Sequence, residues 1–172
     1  SDFTVENSTI VRNHVSGIGG GGLYAQGAET LRSSIVSGNT LGAGAGPDIS
    51  GAVELADSNL VEDPAGGHGL VDGVAGNIVG LDPLLAPLAF NGGPTLTHAL
   101  LPASPAVDAG SNIAALVNDQ RGPGFPRMVG QTDIGAYEAQ TEIDLRGNAQ
   151  SISDGDTTPS AADHTDFGAA VI

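Results

Sequence analysis

The sequence predicts an all-β fold, a β-solenoid of short stacked coils followed by an irregular cap rich in Pro and Gly. Two observations support this fold class: a sequence pattern that recurs every 25 residues, and a composition of 27 glycines with only 3 % aromatic residues. A repeat of this length, rich in β-branched residues and without helical periodicity, is typical of solenoids.

The repeat consists of small polar residues, two aliphatic residues and a polar stop. It occurs as NSTIVRN, RSSIVSGN and ADSNLVED, in which Ile10, Ile35 and Leu60 follow one another at 25 residues. Each unit holds short strands separated by Gly, Asn or Asp turns. We therefore expect parallel β-coils over about residues 3–80, with five aliphatic side chains pointing inward: Ile10, Leu23, Ile35, Ile49 and Leu60.

The first glycine-rich segment, GIGGGGLYAQG, spans Gly17 to Gly27. A phosphate-binding loop needs a following helix and usually a lysine, and this chain has no lysine. We expect the glycines instead at corners with positive φ and where the backbones of successive coils approach closely. The period of two in a strand then predicts Leu23 and Ala25 inward and Tyr24 outward.

Two asparagines, Asn13 and Asn39, follow the aliphatic pairs of successive repeats. Asn tolerates the left-handed backbone conformation at a corner, and its amide can donate and accept along a stack. This spacing predicts an asparagine ladder with a structural role.

The chain is strongly acidic: it contains 20 Asp and Glu residues against five Arg residues, and its net charge is −15. This balance disfavours nucleic acid and anionic membranes as partners. The chain has no cysteine and no run of 18 apolar residues, so we expect neither disulfides nor a membrane span. The opening SDFTVENSTIV lies inside a repeat, and we expect a piece of a longer chain.

The repeat is lost from about Gly76, and the sequence divides there into coils over residues 1–75 and a cap over residues 76–139 that closes the open end of the solenoid. The run GNIVGLDPLLAPLAFNGGPTLTHALLPASPAVDAG, with DQRGPGFPR and DIGAYE, resembles the C-terminal signature of the choice-of-anchor Q family of bacterial surface proteins. The resemblance implies a right-handed parallel β-helix in a secreted or cell-surface bacterial polypeptide, and it implies no catalytic residues.

Residues 140–172 resemble the start of a second, immunoglobulin-like module of the choice-of-anchor D type through EIDLRGN, SISDGDTTPS and DFG. The resemblance implies a linker and truncated first strands. Within it, Thr141 to Ile152 alternates like an unpaired strand. Two interpretations stay open: a truncated piece, or a strand that adds to a neighbouring copy and builds an extracellular filament.

Four aspartates in this segment lie within thirteen residues: Asp154, Asp156, Asp163 and Asp166. Carboxylates at such spacing suit Ca²⁺, although the EF-hand pattern is not met. The alternative is a set of Asp-rich turns that bind their own backbone. Calcium is the one cofactor that the sequence suggests, and none is required.

The cap region holds four charged residues inside the family signature: Asp108, Asp119, Arg121 and Asp133. They predict a partly buried ion-pair network that fixes an irregular region; the alternative is a catalytic arginine between carboxylates. In the coils, six residues are expected outward and scattered, with no stacked pair: Glu6, Arg12, Glu29, Arg32, Asp48 and Glu54.

The expected function is a non-enzymatic structural or adhesive module of a large secreted or cell-surface bacterial protein. Its expected partners are other domains of the same polypeptide, copies of itself or a surface polysaccharide. The alternative is a carbohydrate-active β-helix enzyme, a polysaccharide lyase or hydrolase, with its catalytic coils upstream. An enzyme of this kind needs a groove with at least two convergent carboxylates, whereas a stalk shows isolated side chains.

Overall fold

The computed structural model describes residues 3–17, 20–42, 44–45, 47–140, 145–147 and 150–152, and of residues 44–45, 145–147 and 150–152 only the backbone. The chain divides into two compact units, Ser1–Ala139 and Gln140–Ile172. The first unit contains eleven described strands, in chain order β1 (Thr4–Glu6), β2 (Thr9–Val11), β3 (His14–Val15), β4 (Leu23–Arg32), β5 (Ile35–Ser37), β6 (Thr40–Leu41), β7 (Gly44–Ala45), β8 (Ile49–Asp57), β9 (Leu60–Val61), β10 (Gly67–His68) and β11 (Ile78–Val79).

These strands stack into sheets whose neighbours come from successive coils. Sheet A has the order β1-β4-β8-β10 and sheet B the order β2-β5-β9-β11, and every pair in both sheets is parallel. A third, smaller sheet pairs β3 with β6 in parallel and β6 with β7 antiparallel. The chain therefore forms a parallel β-helix, as the sequence predicted.

The register of sheet B corrects the predicted spacing of the repeat. Thr9 pairs with Ile35, Ile35 with Leu60 and Leu60 with Ile78, so successive steps are 26, 25 and 18 residues. Ile10 lies beside Val36, and its predicted alignment with Ile35 is wrong by one residue. The last step, from β9 to β11, is short because only five residues connect β9 to the intervening strand β10.

An inner core fills the space between sheets A and B. Leu23, Leu31, Ile49 and Val53 of sheet A meet Val36 and Val61 of sheet B, and Ile10 packs at the margin. The predicted inward positions of Leu23 and Ile49 are confirmed. Ala25 is also buried, while Tyr24 is 48 % exposed, as the period of two requires.

Ile35 and Leu60, predicted to point inward, face the opposite side of sheet B. They form a second core with Leu100, Ala106 and Ile134, against which Val11 and Ile78 also pack. The residues next to them, Val36 and Val61, supply the inner face. A parallel sheet covered on both faces has continuous apolar runs, and such runs do not show which residue points inward.

Residues 83–138 form the layer that covers the outer face of sheet B, here called the covering layer. It contains only isolated bridges, Leu85 with Leu100, Ala89 with Thr97 and Asn118 with Pro126. Its contacts extend from Val11 in β2 to Ile78 in β11. The predicted Pro/Gly-rich region is thus irregular as expected, and it packs along the flank of the coils.

The second unit contains two described strands, β12 (Leu145–Gly147) and β13 (Gln150–Ile152), which pair antiparallel with each other. The prediction of one unpaired strand from Thr141 to Ile152 is therefore wrong. Instead, two short strands of this segment form backbone hydrogen bonds with each other. Asp154, Asp156, Asp163 and Asp166 lie outside the described residues.

Candidate functional site

The predicted asparagine pair forms hydrogen bonds along the stack and ends on a buried carboxylate. Asn13 Nδ2 donates to Asn39 Oδ1 at 3.0 Å, and Asn39 Nδ2 donates to Asp48 Oδ1 at 2.8 Å. Asp48 Oδ2 accepts the Asp63 backbone N–H at 2.8 Å. The left-handed conformation falls one residue earlier than expected, at Arg12 and Gly38. Asp48, predicted to point outward, is fully buried because it is the last member of this ladder.

A second ladder, not foreseen, lies at the start of sheet B. Asn59 Oδ1 accepts the Ser34 N–H at 3.1 Å, and Asn59 Nδ2 donates to Asn77 Oδ1 at 2.9 Å. The sequence carries a signal for it, because a Ser or Asn precedes the aliphatic residues in SSIV, SNLV and GNIV. The residues before this ladder, Ser33 and Ser58, again have positive φ.

Gly21 and Gly22 of the first segment serve close approach of the backbones rather than left-handed corners. Gly21 and Gly22 lie outside the positive-φ region. A Cβ added to Gly21 would lie 2.7 Å from the Thr40 backbone nitrogen, and one added to Gly22 would lie 2.6 Å from Asn39 Nδ2. Any side chain at these two positions would therefore displace the ladder.

The charged residues of the coils differ from their predicted scatter. Glu29 is buried and lies at a bulge of β4. Its carboxylate accepts the backbone N–H groups of Gln26 at 2.9 Å and Gly27 at 2.7 Å. Glu6 forms a 2.9 Å ion pair with Arg32, its register partner in sheet A. The expectation of no stacked pair is therefore wrong.

Arg121 forms the most strongly connected charge contact of the covering layer. Its Nη2 lies 2.6 Å from Asp119 Oδ2, its Nε donates to the same oxygen at 2.9 Å, and Nη2 also donates to the Glu138 carbonyl at 2.6 Å. The guanidinium stacks between the rings of Phe125 and Tyr137, at 4.1 and 3.9 Å. Arg121 and Asp119 are both buried.

Asp108 and Asp133, predicted in the same network, hold backbone groups of the covering layer. Asp133 Oδ1 accepts the Asp108 N–H at 2.7 Å, and Asp133 Oδ2 accepts the Ala139 N–H at 2.5 Å. Burial raises the pKa of Asp133, although these two hydrogen bonds oppose the shift. Asp108 Oδ1 in turn accepts the Gln131 N–H at 3.3 Å.

Arg127 and Glu138 are two buried charged residues that sequence reasoning missed. Arg127 Nη2 donates to the Asp133 carbonyl at 2.8 Å, but its Nη1 lies 4.0 Å from Glu138 Oε2. In the described part of the chain, Arg127 Nε and Nη1 have no hydrogen-bond partner. Burial raises the pKa of Glu138 to about 6 and lowers that of Arg127. Nothing in the local sequence FPRMVG marks this pair.

Two clefts border the covering layer. The Arg127 cleft has a volume of about 470 Å³, and its lining includes Asn7, Ser8, Thr9, Asn118, Gln120 and Arg127. The Glu62 cleft has a volume of about 310 Å³, and its lining includes Arg12, Glu62 and Asp82. Ser37 Oγ donates to Glu62 Oε2 at 2.5 Å.

Among the described residues, no group of three or more His, Asp or Glu side chains is arranged to hold a metal ion. No helix long and apolar enough to cross a membrane occurs in the same part of the chain. Comparison with protein-family models, with curated proteins and with solved structures found no match to this chain.

Proposed function

We propose that this chain is a non-enzymatic structural or adhesive module of a large secreted or cell-surface bacterial protein of the choice-of-anchor Q type. The observation that supports this proposal best is the use of the polar coil side chains: Asn39, Asp48 and Asn59 are buried and bind neighbouring coils. A stack held in this way is a continuous, regular support. The net charge of −15 suits an exposed, hydrated surface.

Two measurements test this proposal. Antibodies against residues 3–139 should label intact cells of the organism that carries the gene, without permeabilisation. The purified protein should release no new reducing or unsaturated sugar ends from a panel of neutral and acidic polysaccharides. Labelling that appears only after the cells are permeabilised would contradict the proposal.

A second candidate function is polysaccharide cleavage, and the Glu62 cleft is the observation that favours it. Glu62 and Asp82 are two carboxylates in one groove with Arg12, the residue types that acid–base cleavage of a glycosidic bond requires. If turnover is detected, Glu62→Gln and Asp82→Asn should abolish it. The matched control is Glu54→Gln, an exposed residue of β8 outside this groove.

Self-association into filaments remains a further part of the proposal. β12 and β13 bond to each other along one edge, so addition of a strand from a neighbouring copy would use an outer edge of this pair. Sedimentation of the purified chain over a range of concentrations tests the idea. A monomer at all concentrations would contradict it.

A further inference from the structure

The register partners Thr9, Ile35 and Leu60 form a column across sheet B that is apolar except at Thr9. The Arg127 cleft lies at this polar end of the column. Ile35 and Leu60 of this column are covered by Leu100, Ala106 and Ile134. The first position is Thr9, whose Oγ1 accepts the Ala136 N–H at 3.0 Å. At this position the covering layer leaves a cleft of about 470 Å³. This volume is within the range of small-ligand sites.

The lining of the cleft includes a buried cation with unused donors. Arg127 is 1 % exposed, and its Nε and Nη1 make no hydrogen bond to any described residue. Glu138 does not supply the missing bonds, because its Oε2 lies 4.0 Å from Nη1 and accepts the Asp133 N–H. An unmade hydrogen bond on a buried charge is costly, so Arg127 would gain by turning Nε or Nη1 toward an acceptor held in the cleft.

The charges around the cleft select the kind of acceptor. A guanidinium offers only donors, so the ligand must present oxygen acceptors. Three buried carboxylates, of Asp119, Asp133 and Glu138, surround the two buried guanidinium groups of Arg121 and Arg127. This local excess of negative charge disfavours an anionic ligand. Amide side chains such as Asn118 both donate and accept, which suits hydroxyl groups.

A smaller recess of about 110 Å³ adjoins the cleft, and both are lined by Thr9, Gln120 and Ala136. The recess adds Tyr137, Leu88 and Leu96. The two spaces together therefore offer a polar wall with donors and acceptors and an apolar, aromatic wall. A sugar ring has the matching chemistry, because its hydroxyl edge is polar and its C–H face is apolar.

We propose that the Arg127 cleft binds one or two neutral sugar units of a polysaccharide. The inference builds on the proposed adhesive function, since it names the ligand class that the adhesive module would hold. Arg127 supplies donors to hydroxyl oxygens, Asn118 and Gln120 supply amide groups, and Tyr137 packs on the ring face.

The test is a titration of the ¹⁵N-labelled chain with cellobiose, maltose, lactose and N,N′-diacetylchitobiose, and with digalacturonic acid as the anionic comparison. At least one neutral disaccharide should shift the backbone amide signals of Ser8, Asn118 and Gln120. Replacing Leu116, which lines the cleft, by Trp should block the shifts. Leu55→Trp is the matched control, because Leu55 is 46 % exposed, close to the 43 % of Leu116, and lines neither the Arg127 cleft nor the Glu62 cleft.

Arg127→Gln should weaken the same titration by about tenfold or more, since it replaces the charged guanidinium donors with a shorter, neutral amide. If that variant does not fold, the Leu116→Trp comparison still decides the question. The inference is overturned if no neutral disaccharide shifts these amides, if Leu116→Trp and Leu55→Trp behave alike, or if only digalacturonic acid binds. Such results leave the proposed function standing, whereas failure of the cell-surface labelling overturns that function without touching the cleft.

Discussion

The coil stack and the covering layer are both held by buried polar groups, but by different kinds. In the coils, Asn39 and Asn59 occupy repeated positions and hydrogen-bond to the coils above and below them. In the covering layer, Arg121 and Arg127 occupy single positions whose partners are specific to each. The ladders consist of amide groups, apart from the Asp48 carboxylate at the end of the first, and spread the stabilisation over many similar bonds. The covering layer concentrates it in a few charges.

The largest expected effect concerns the buried charge of the covering layer. Arg121→Ala should lower the free energy of unfolding by about 2–4 kcal/mol, because it leaves the Asp119 carboxylate buried and unpaired and removes two ring contacts. Urea unfolding of the variant and the parent chain measures the difference.

The control for this change is Arg32→Ala in the coils. The Arg32–Glu6 pair is also close, at 2.9 Å, but its side chains are 26 % and 24 % exposed. We expect a loss of only about 0.5 kcal/mol, since water screens a partly exposed pair. Equal losses for Arg121→Ala and Arg32→Ala would remove the contrast between the two regions.

An intermediate effect is expected for the middle of the second ladder. Asn59→Ala should cost about 1–3 kcal/mol, because it leaves the buried Ser34 N–H and Leu31 carbonyl without their partner. Asn13→Ala, at the exposed end of the first ladder, should cost about 0.5 kcal/mol. The same urea experiment measures both, and a larger loss for Asn13→Ala would contradict the assignment of the ladders.

Apart from the two control variants Arg32→Ala and Asn13→Ala, the smallest expected effect is a dependence on pH. Burial raises the pKa of Glu138 from 4.5 to about 6, so the folded chain binds this proton more readily than the unfolded chain. Its contribution to stability is therefore present below pH 4.5 and is lost as the pH rises through 6.

Glu138→Gln removes this titration. Between pH 7 and pH 4.5 the parent chain should gain about 1 kcal/mol relative to the variant. The charge of Asp133 helps to raise the pKa of Glu138, so the difference between the two proteins reports this coupled pair. A constant difference between parent and variant across this range would contradict the raised pKa.

The features that the sequence predicted correctly depend on neighbouring residues or on the repeat itself. The alternation of Leu23, Tyr24 and Ala25 follows from the period of two in a strand, and the contact of Asn13 with Asn39 follows from their equivalent positions in successive repeats. Both patterns can be recognised without knowing what lies across the sheet.

The features that it predicted wrongly or missed depend on distant parts of the chain. The side to which Ile35 points is set by the covering layer, because Ile35 and Val36 are equally apolar and both faces of sheet B are buried. Arg127 lacks a local signal for the same reason: its neighbours Asp133 and Glu138 meet it only in the folded layer.

The flanking position of the covering layer bears on how the chain folds during synthesis. Solenoids usually grow by adding each coil to the one before it, so their contacts are local in sequence. Here the Thr9 hydroxyl receives the Ala136 N–H, 127 residues away, and Asn7 donates to the Ser111 carbonyl, 104 residues away. The coils therefore emerge from the ribosome with Ile35 and Leu60 uncovered until the layer is made. High contact order slows folding, and a late-covered apolar sheet is the stage most open to aggregation.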